Sequence, residues 1–222
     1  MVTSDYIILF VSLLPSFAWL VFYLEEDPHP EPKRIIAQVF VAGMVSTVII
    51  LGLESLFHSV VIPLGVAKYS ILSLLGLAVI EETMKFGAAR FIITRHLEDF
   101  DEPVDAMVYL IIAGLGFATV ENIAAAFKSN NIALEITSLR FIGATLLHTI
   151  SSGLIGFYWA RSIMYKSKAW LYKGILYGTV LHAFFNYLIL RFGSEPIVLP
   201  TTFLAICALF LLHDFEELKH YK

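Results

Sequence analysis

One stretch of sequence organises the chain: Ala78-Val79-Ile80-Glu81-Glu82-Thr83-Met84-Lys85-Phe86. It places two adjacent carboxylates and a lysine inside an apolar run that begins near Tyr69. A charge at bilayer depth costs about 2.5–3.5 kcal/mol on insertion scales, so three of them require pairing, water or a function. On a helix, Lys85 follows Glu81 by four residues and Glu82 by three, and it can neutralise only one of them well. The other remains a buried, partly desolvated acid, as a general base or proton carrier requires. The alternative interpretation is a structural ion pair that locks helix packing.

The composition indicates an integral membrane protein. Of the 222 residues, 58% are hydrophobic and only 15% are charged, and the mean hydropathy is +0.78. Soluble domains carry about 25% charged residues. We therefore expect a single integral-membrane domain over residues 1–222, in contact with the lipid bilayer and without a nucleic-acid partner. The single cysteine, Cys207, excludes an intramolecular disulfide and a Cys-based zinc site.

Seven apolar segments are long enough to cross about 30 Å of hydrocarbon as helices. They predict an all-α, polytopic transmembrane helix bundle. The predicted spans are about Ser4–Leu24, Ile35–Phe57, Tyr69–Ile93, Val104–Phe127, Leu139–Met164, Leu171–Leu190 and Ile197–His213. Between them, His58–Lys68 is interpreted as a short re-entrant or interfacial piece and Lys128–Thr137 as a polar connection.

The lysines and arginines predict the orientation of the bundle. With the N-terminus outside, ten basic residues fall on the inner side, four fall on the outer side, and Lys85 stays in the membrane. The positive-inside rule therefore favours an N-terminus outside and a C-terminus inside. The inner set is Lys33, Arg34, Arg90, Arg95, Arg161, Lys166, Lys168, Lys173, Lys219 and Lys222, and the outer set is Lys68, Lys128, Arg140 and Arg191.

Small residues indicate where helices can approach closely within the membrane. The candidate contacts are the Gly174/Gly178 step, the Ser152/Gly156 step, and the smooth face formed by Gly114, Gly116 and Ala118. Ordinary bundle packing explains all of them.

Further polar residues lie inside the later spans. The fourth span carries Glu121 and Asn122, the fifth carries His148, and the sixth places His182 and Asn186 one turn apart on one face. At 1.5 Å per residue, Glu81 and His148 lie roughly 18 and 14 Å from the outer ends of their spans, and His182 lies roughly 17 Å from its inner end. These three can share one level near or somewhat outside the midplane. Their compatible depths predict a polar cavity that opens outward.

Two kinds of chemistry fit these side chains. A glutamate can take a proton from water that a histidine orients, while a second histidine and an asparagine donate hydrogen bonds to a developing oxyanion. The same groups can instead hold a divalent metal, because two histidines and a carboxylate are a common ligand set. The candidate ligands are Glu81, Glu121, His148 and His182, and the candidate metal is zinc. The spacing does not decide between these alternatives, because the ligands come from separate helices.

At these residues the sequence resembles the PrsW family of intramembrane proteases, relatives of the CAAX-processing and bacteriocin-immunity membrane proteases. The resemblance rests on four motifs that occur in the family's order, each in its own span, across about Tyr69 to Asn186. They are Glu81-Glu82-x-x-Lys85, Phe117-x-x-x-Glu121-Asn122, His148 followed by small residues through Gly156, and His182-x-x-x-Asn186.

The resemblance implies a multi-spanning protease of a bacterial or archaeal cytoplasmic membrane that clips a membrane-anchored protein on its extracytoplasmic side. In the best-known case the substrate is a single-pass anti-sigma factor, and the cut starts a cascade that frees a sigma factor. The resemblance also implies that Glu81 and Glu82 are both needed. The CAAX-processing relatives carry a histidine in place of Glu121, and an arginine one position later in place of Lys85. Both departures argue against prenylated substrates.

The leading hypothesis is an intramembrane endopeptidase with its catalytic core at about residues 69–190. Glu81 is the expected general base, and Glu82 pairs with Lys85 or shares the base role. The remaining expected roles are water orientation or metal binding for Glu121 and His148, oxyanion stabilisation for His182 and Asn186, and support for Lys85, Phe117 and Asn122.

Two other classes of function stay open at the level of sequence. A proton-coupled transporter could use Glu81, Glu82, Lys85 and His182 as a relay. A non-catalytic immunity or scaffolding protein of the same fold would bind partners without cleaving them.

Overall fold

The structure is a computed structural model that describes residues 2–27, 29–129, 132–192 and 198–220. All regular secondary structure in these ranges is helical, which confirms the predicted all-α class. The helices are α1 (Val2–Glu25), α2 (Lys33–Val61), α3 (Ile71–Ile93), α4 (Asp105–Ser129), α5 (Ala133–Ile142), α6 (Ala144–Met164), α7 (Lys168–Phe192) and α8 (Val198–Lys219), with a short 3₁₀ turn at Leu97–Asp99.

Within the described ranges, six segments are long and apolar enough to cross a membrane, and they make the chain a multi-pass membrane protein. They are α1 from Asp5, α2, α4, α5 together with α6, α7 and α8. The remaining predicted span is α3, whose 23 residues include Glu81, Glu82, Lys85 and Arg90. It packs against α2, α4 and α7. Because Glu81, Glu82 and Lys85 are buried among these helices, we place α3 in the bundle as the seventh span.

Two boundaries differ from the sequence prediction. Helix α2 continues to Val61, so the predicted piece His58–Lys68 begins as its last turn and then bends at Gly65, which has a φ of 88°. Helix α5 begins at Ala133, inside the segment that was expected to be a polar connection. The helical conformation is interrupted at Gly143, and α6 begins at the next residue. The fifth predicted span is therefore a bent pair of helices.

Helix α4 is the centre of the bundle. Every residue from Val104 to Thr119 is buried, and the helix packs against α1, α2 and α6. Glycines make this possible: a Cβ on Gly116 would collide with the backbone of Phe40, and a Cβ on Gly156 would lie 2.6 Å from Met107 Cα. Small residues thus bring α2 and α6 against α4, as expected for helices that associate in lipid.

The contact between α6 and α7 is built in the same way. A Cβ on Gly174 would lie 2.5 Å from Tyr158 Cβ, and one on Gly178 would lie 2.6 Å from a side-chain carbon of Ile155. This close approach positions α7 so that its polar residues face those of α3 and α6.

Candidate active site

The two adjacent glutamates of α3 have different environments. Glu81 is 7% exposed, and Glu82 and Lys85 are fully buried. Lys85 Nζ lies 2.7 Å from Glu82 Oε1. The same oxygen accepts a hydrogen bond from Ser151 Oγ at 3.0 Å. Lys85 therefore pairs with Glu82, and Glu81 is the carboxylate left without a cation.

The histidine of α6, His148, connects two charged groups. Lys85 donates to its Nδ1 at 3.1 Å, and its Nε2 donates to Glu121 Oε2 at 2.9 Å. Because an ammonium group can only donate, this arrangement assigns the neutral tautomer with the proton on Nε2. The ring of Phe117 packs edge-on against His148 with centroids 5.0 Å apart, and Lys85 Nζ lies 4.9 Å from the centroid of Phe117.

His182, on α7, faces both glutamates. Its Nδ1 donates to Glu82 Oε1 at 2.7 Å, and its Nε2 lies 3.7 Å from Glu81 Oε2. Glu81 Oε2 is buried, and no N–H or hydroxyl group of the described residues donates to it. A position between Glu81 Oε2 and His182 Nε2 is thus left for a proton, a water molecule or a metal ion.

A second polar network lies beside His148 and includes a residue that the sequence did not single out. Arg140 Nη2 lies 3.0 Å from Glu121 Oε2, and its Nε donates to Asn122 Oδ1 at 2.6 Å. Asn122 Nδ2 in turn donates to Thr145 Oγ1 at 3.0 Å. Arg140 therefore supports Glu121 from the side of α5, and Asn122 holds Arg140 in place. From the sequence, Arg140 was expected only as one of the outer basic residues.

The predicted site residue Asn186 lies one turn after His182 on α7. It is half-buried, and its side chain has no hydrogen bond within the described part of the chain. Its amide is therefore free to meet another group.

Glu54, on α2, is a second residue that the sequence interpretation missed. Its half-buried carboxyl group lies within hydrogen-bonding reach of Glu81 and interacts with the charges of Glu121 and Lys85. The available signal was a lone carboxylate inside the predicted second span, and intramembrane acids are usually functional.

The donor atoms fit a metal ion as well as a water molecule. One ligand atom each of Glu81, His148 and His182 lies within 4.8 Å of the others, and all three residues are buried. Two histidines and a carboxylate suit zinc. Glu82 holds Nδ1 of His182, as carboxylates behind metal-bound histidines commonly do. Glu81 Oε2, which has no donor among the described residues, could bind either a metal ion or a water molecule. His148 would have to release Glu121 or Lys85 before it could bind a metal.

The cluster is closed on most sides. Glu81, Glu82, Lys85, His148 and His182 are all more than nine-tenths buried. Glu121 is 34% exposed and Arg140 is 22% exposed, so the cluster reaches the surface where α4 and α5 meet.

Fold and site together define a class of protein: a multi-pass membrane protein with a buried carboxylate–histidine centre suited to hydrolysis. A family model described as PrsW family intramembrane metalloprotease matches residues 31–213. The chain belongs to this family, which makes it an intramembrane peptidase and confirms the resemblance seen in its motifs. The peptidase interpretation is thereby favoured over the transporter and the scaffold.

Several curated relatives named Protease PrsW match most of the chain. The protein of Geobacillus kaustophilus is 28% identical over 171 residues, covering 76% of this chain and 73% of the relative. That of Oceanobacillus iheyensis is 25% identical over 213 residues, covering 95% of both chains. That of Bacillus subtilis is 25% identical over 186 residues, covering 82% of both. No solved structure matches the chain.

Proposed function

We propose that this chain is an endopeptidase that cuts a single-pass, anti-sigma-factor-like membrane protein on its extracytoplasmic side, with water activated by Glu81. One observation carries the proposal: the buried Glu81 Oε2 receives no N–H or hydroxyl donor among the described residues, and it faces His182 Nε2 at 3.7 Å. A carboxylate in this position can accept a proton from a bound water molecule.

The contacts distinguish the roles of the two glutamates. Glu82 Oε1 is held by Lys85, Ser151 and His182. Glu82 Oε2 has no donor among the described residues either, but Lys85 neutralises the charge of Glu82 at 2.7 Å, whereas no lysine or arginine nitrogen of these residues lies within 4.0 Å of Glu81. The carboxylate that is paired with a cation is the poorer proton acceptor. We therefore assign Glu82 to orienting His182 and Lys85, and we assign Glu81 to the proton transfer.

In the proposed reaction, Glu81 takes one proton from water as the hydroxyl oxygen bonds to the peptide carbonyl carbon. The carbonyl oxygen becomes an oxyanion, which the free amide of Asn186 stabilises by a hydrogen bond. His182 adds a second hydrogen bond from Nε2 in its imidazolium form, because the Nδ1 proton is held by Glu82. The carbon–nitrogen bond then breaks, and Glu81 returns the proton to the leaving amine. One carboxyl and one amine are produced from one water molecule.

A bound zinc ion would be held by Glu81, His148 and His182, with Glu121 beside His148 as a further candidate. When bound, zinc supplies a water molecule of lowered pKa and polarises the carbonyl group. The contact between His182 and Glu82 serves this arrangement equally well, because it fixes the orientation of the imidazole ring.

We infer the substrate class from the direction in which the cluster opens. Glu121 and Arg140, its least buried members, lie toward the outer side in the predicted topology. A peptide segment just outside the bilayer would therefore reach the site first. Because the reacting groups are buried, the neighbouring helices must separate before the scissile bond can enter.

The proposal is tested by reconstituting the purified protein with a single-pass substrate. We expect the wild type to release fragments, and Glu81→Gln and His182→Ala to lose cleavage. Glu135→Gln, which alters an exposed acid on α5, serves as a matched control and should cleave like the wild type. Cleavage by Glu81→Gln at the wild-type rate would overturn the proposal, and proton flux without fragments would identify a transporter.

The role of zinc is tested separately by elemental analysis of the same preparations. One zinc per chain that is lost in a His148→Ala, His182→Ala double variant would support the metal-assisted form. A fully active protein that contains no metal would support the mechanism in which Glu81 takes the proton from water without a metal ion.

A further inference from the structure

A long groove runs between α2 and α3 on the outside of the bundle. Its volume is about 930 Å³, and its walls are almost entirely apolar. None of the site residues described above lines it. Its wall residues include Val41, Val45 and Ile49 from α2 and Met84, Gly87 and Phe91 from α3.

The groove lies beyond the point where the end of α2 contacts the start of α3. Near the end of α2, the ring of Phe57 lies where a Cβ on Gly76 would be, and His58 Nε2 lies 3.2 Å from Ser73 Oγ. Farther along, a Cβ on Gly87 would meet no atom within 4 Å. The two helices therefore diverge toward the start of α2 and the end of α3.

The groove is basic at the end formed by the start of α2 and the end of α3. Arg34, Arg95 and His96 line it, and both arginines are exposed. The guanidinium carbon of Arg95 lies 3.6 Å from the ring centroid of Phe91, which holds this side chain against the groove wall. Neither arginine forms an ion pair with a carboxylate of the described residues. The apolar groove therefore ends at two arginines, Arg34 and Arg95, that have no carboxylate partner among the described residues.

We propose that this groove is a binding site for an anionic phospholipid, whose acyl chains lie along α2 and α3 and whose phosphate meets Arg34 and Arg95. Apolar walls and a cationic end match the two parts of such a lipid. In the predicted topology this end lies at the cytoplasmic surface, where anionic lipids attract basic side chains.

The charge of the groove argues against a transmembrane helix as its occupant. The inner ends of single-pass helices are usually basic, so they would be repelled by Arg34 and Arg95.

The proposal is tested with the full chain in nanodiscs of phosphatidylcholine with and without phosphatidylglycerol, using native mass spectrometry to measure retained lipid. We expect phosphatidylglycerol to bind about thirtyfold more tightly than phosphatidylcholine, because its net negative charge attracts both arginines, whereas the choline cation of phosphatidylcholine offsets its phosphate. The double variant Arg34→Gln, Arg95→Gln should lose this preference. The double variant Lys168→Gln, Lys173→Gln removes the same charge from α7 and should keep it.

A second variant tests the apolar part of the groove. A Cβ on Gly87 would meet no atom within 4 Å, so Gly87→Leu extends into the groove, and it should reduce the retention of both lipids while the melting temperature in detergent does not fall below the wild-type value. Equal binding of the two lipids by the wild type, or an unchanged preference in the double arginine variant, would overturn the proposal. So would a photoreactive group at position 87 that captures a substrate helix and no lipid. None of these measurements depends on peptidase activity.

Discussion

At the scale of single residues, the structure separates two neighbouring glutamates that the sequence leaves equivalent. We expect Glu81→Gln to lower kcat/KM by about 10²–10⁴-fold, the usual contribution of a general base. The melting temperature should change little, because no N–H or hydroxyl group of the described residues depends on Glu81 Oε2. Cleavage assays and thermal unfolding of the same preparation measure both quantities.

Glu82→Gln is the matched comparison and should behave differently. Removing one partner of a buried ion pair costs about 3–5 kcal/mol, because the other charge stays buried. We therefore expect Glu82→Gln to lose both activity and thermal stability, since Lys85 has no other carboxylate within 4.0 Å among the described residues. If Glu81→Gln were the less stable of the two variants, the assignment of anchor and base would be reversed.

Glu54 provides a second prediction at this scale. Its carboxyl group reaches Glu81 from α2, so a proton shared between the two carboxyl groups would orient Glu81. Partners of this kind typically contribute 10–100-fold to activity at metal sites, and we expect a similar loss of kcat in Glu54→Ala with an unchanged KM. Glu54→Asp keeps the carboxyl group and should recover part of the loss. An Ala variant as active as the wild type would show that the contact has no role.

The same residues show which contacts a sequence can reveal. The pair Glu82–Lys85 was predictable because both residues lie on one helix, where three residues bring side chains together. Motifs in a known order also indicated Glu121, His148 and His182. The contacts of Arg140 with Glu121 and of Glu54 with Glu81 join different helices, so no local spacing encodes them.

At the scale of elements, close glycine contacts hold the site helices in place. We expect Gly156→Ala to destabilise the protein by about 1–3 kcal/mol, the usual cost of overpacking, because the new Cβ would lie 2.6 Å from Met107 Cα. Gly52→Ala is the control: its Cβ meets nothing within 4 Å, and alanine favours helix by about 1 kcal/mol. Thermal unfolding in one detergent should rank the two variants on opposite sides of the wild type, and equal melting temperatures would contradict this packing.

Element boundaries were harder to predict than the elements themselves. Apolar length was enough to locate the spans, because a bilayer imposes a minimum of about 17 residues. It did not locate the break at Gly143 or the early start of α5 at Ala133, since these depend on contacts of α5 with α1 and α4. The bend brings Arg140 back to Glu121.

At the scale of the whole molecule, polar groups are concentrated at two places along α4. One is the carboxylate–histidine cluster near Glu121, and the other surrounds Asp105 and Tyr109 at the opposite end of the helix. The fold alone does not determine which end of the bundle faces the cytoplasm, because the contacts between the helices are the same in either orientation across the membrane. The predicted orientation therefore still depends on the excess of lysine and arginine at one side.

The end of α4 near Tyr109 should make stability depend on pH through Glu31, which precedes α2. Glu31 is 7% exposed, accepts a hydrogen bond from the Tyr109 hydroxyl, and lies beside the carboxyl groups of Asp105 and Asp27. Burial is the main cause that raises the pKa of Glu31 from 4.5 to about 8, and the bond from Tyr109 opposes it. Between these values the folded protein keeps a proton that the unfolded chain has lost, so stability falls as pH rises from 4.5 to 8 and levels off above that range.

Glu31→Gln removes the titrating group and should flatten this part of the profile. A loss of 1 kcal/mol corresponds to about 2–4 °C in a domain of 150–250 residues, so we expect the wild type to lose at least a few degrees more than Glu31→Gln across the range. Glu98→Gln, which changes an exposed acid in the loop before α4, should retain the wild-type slope. If Glu31→Gln and the wild type lost stability in parallel, the burial of Glu31 against Tyr109 would not be the source of the pH dependence.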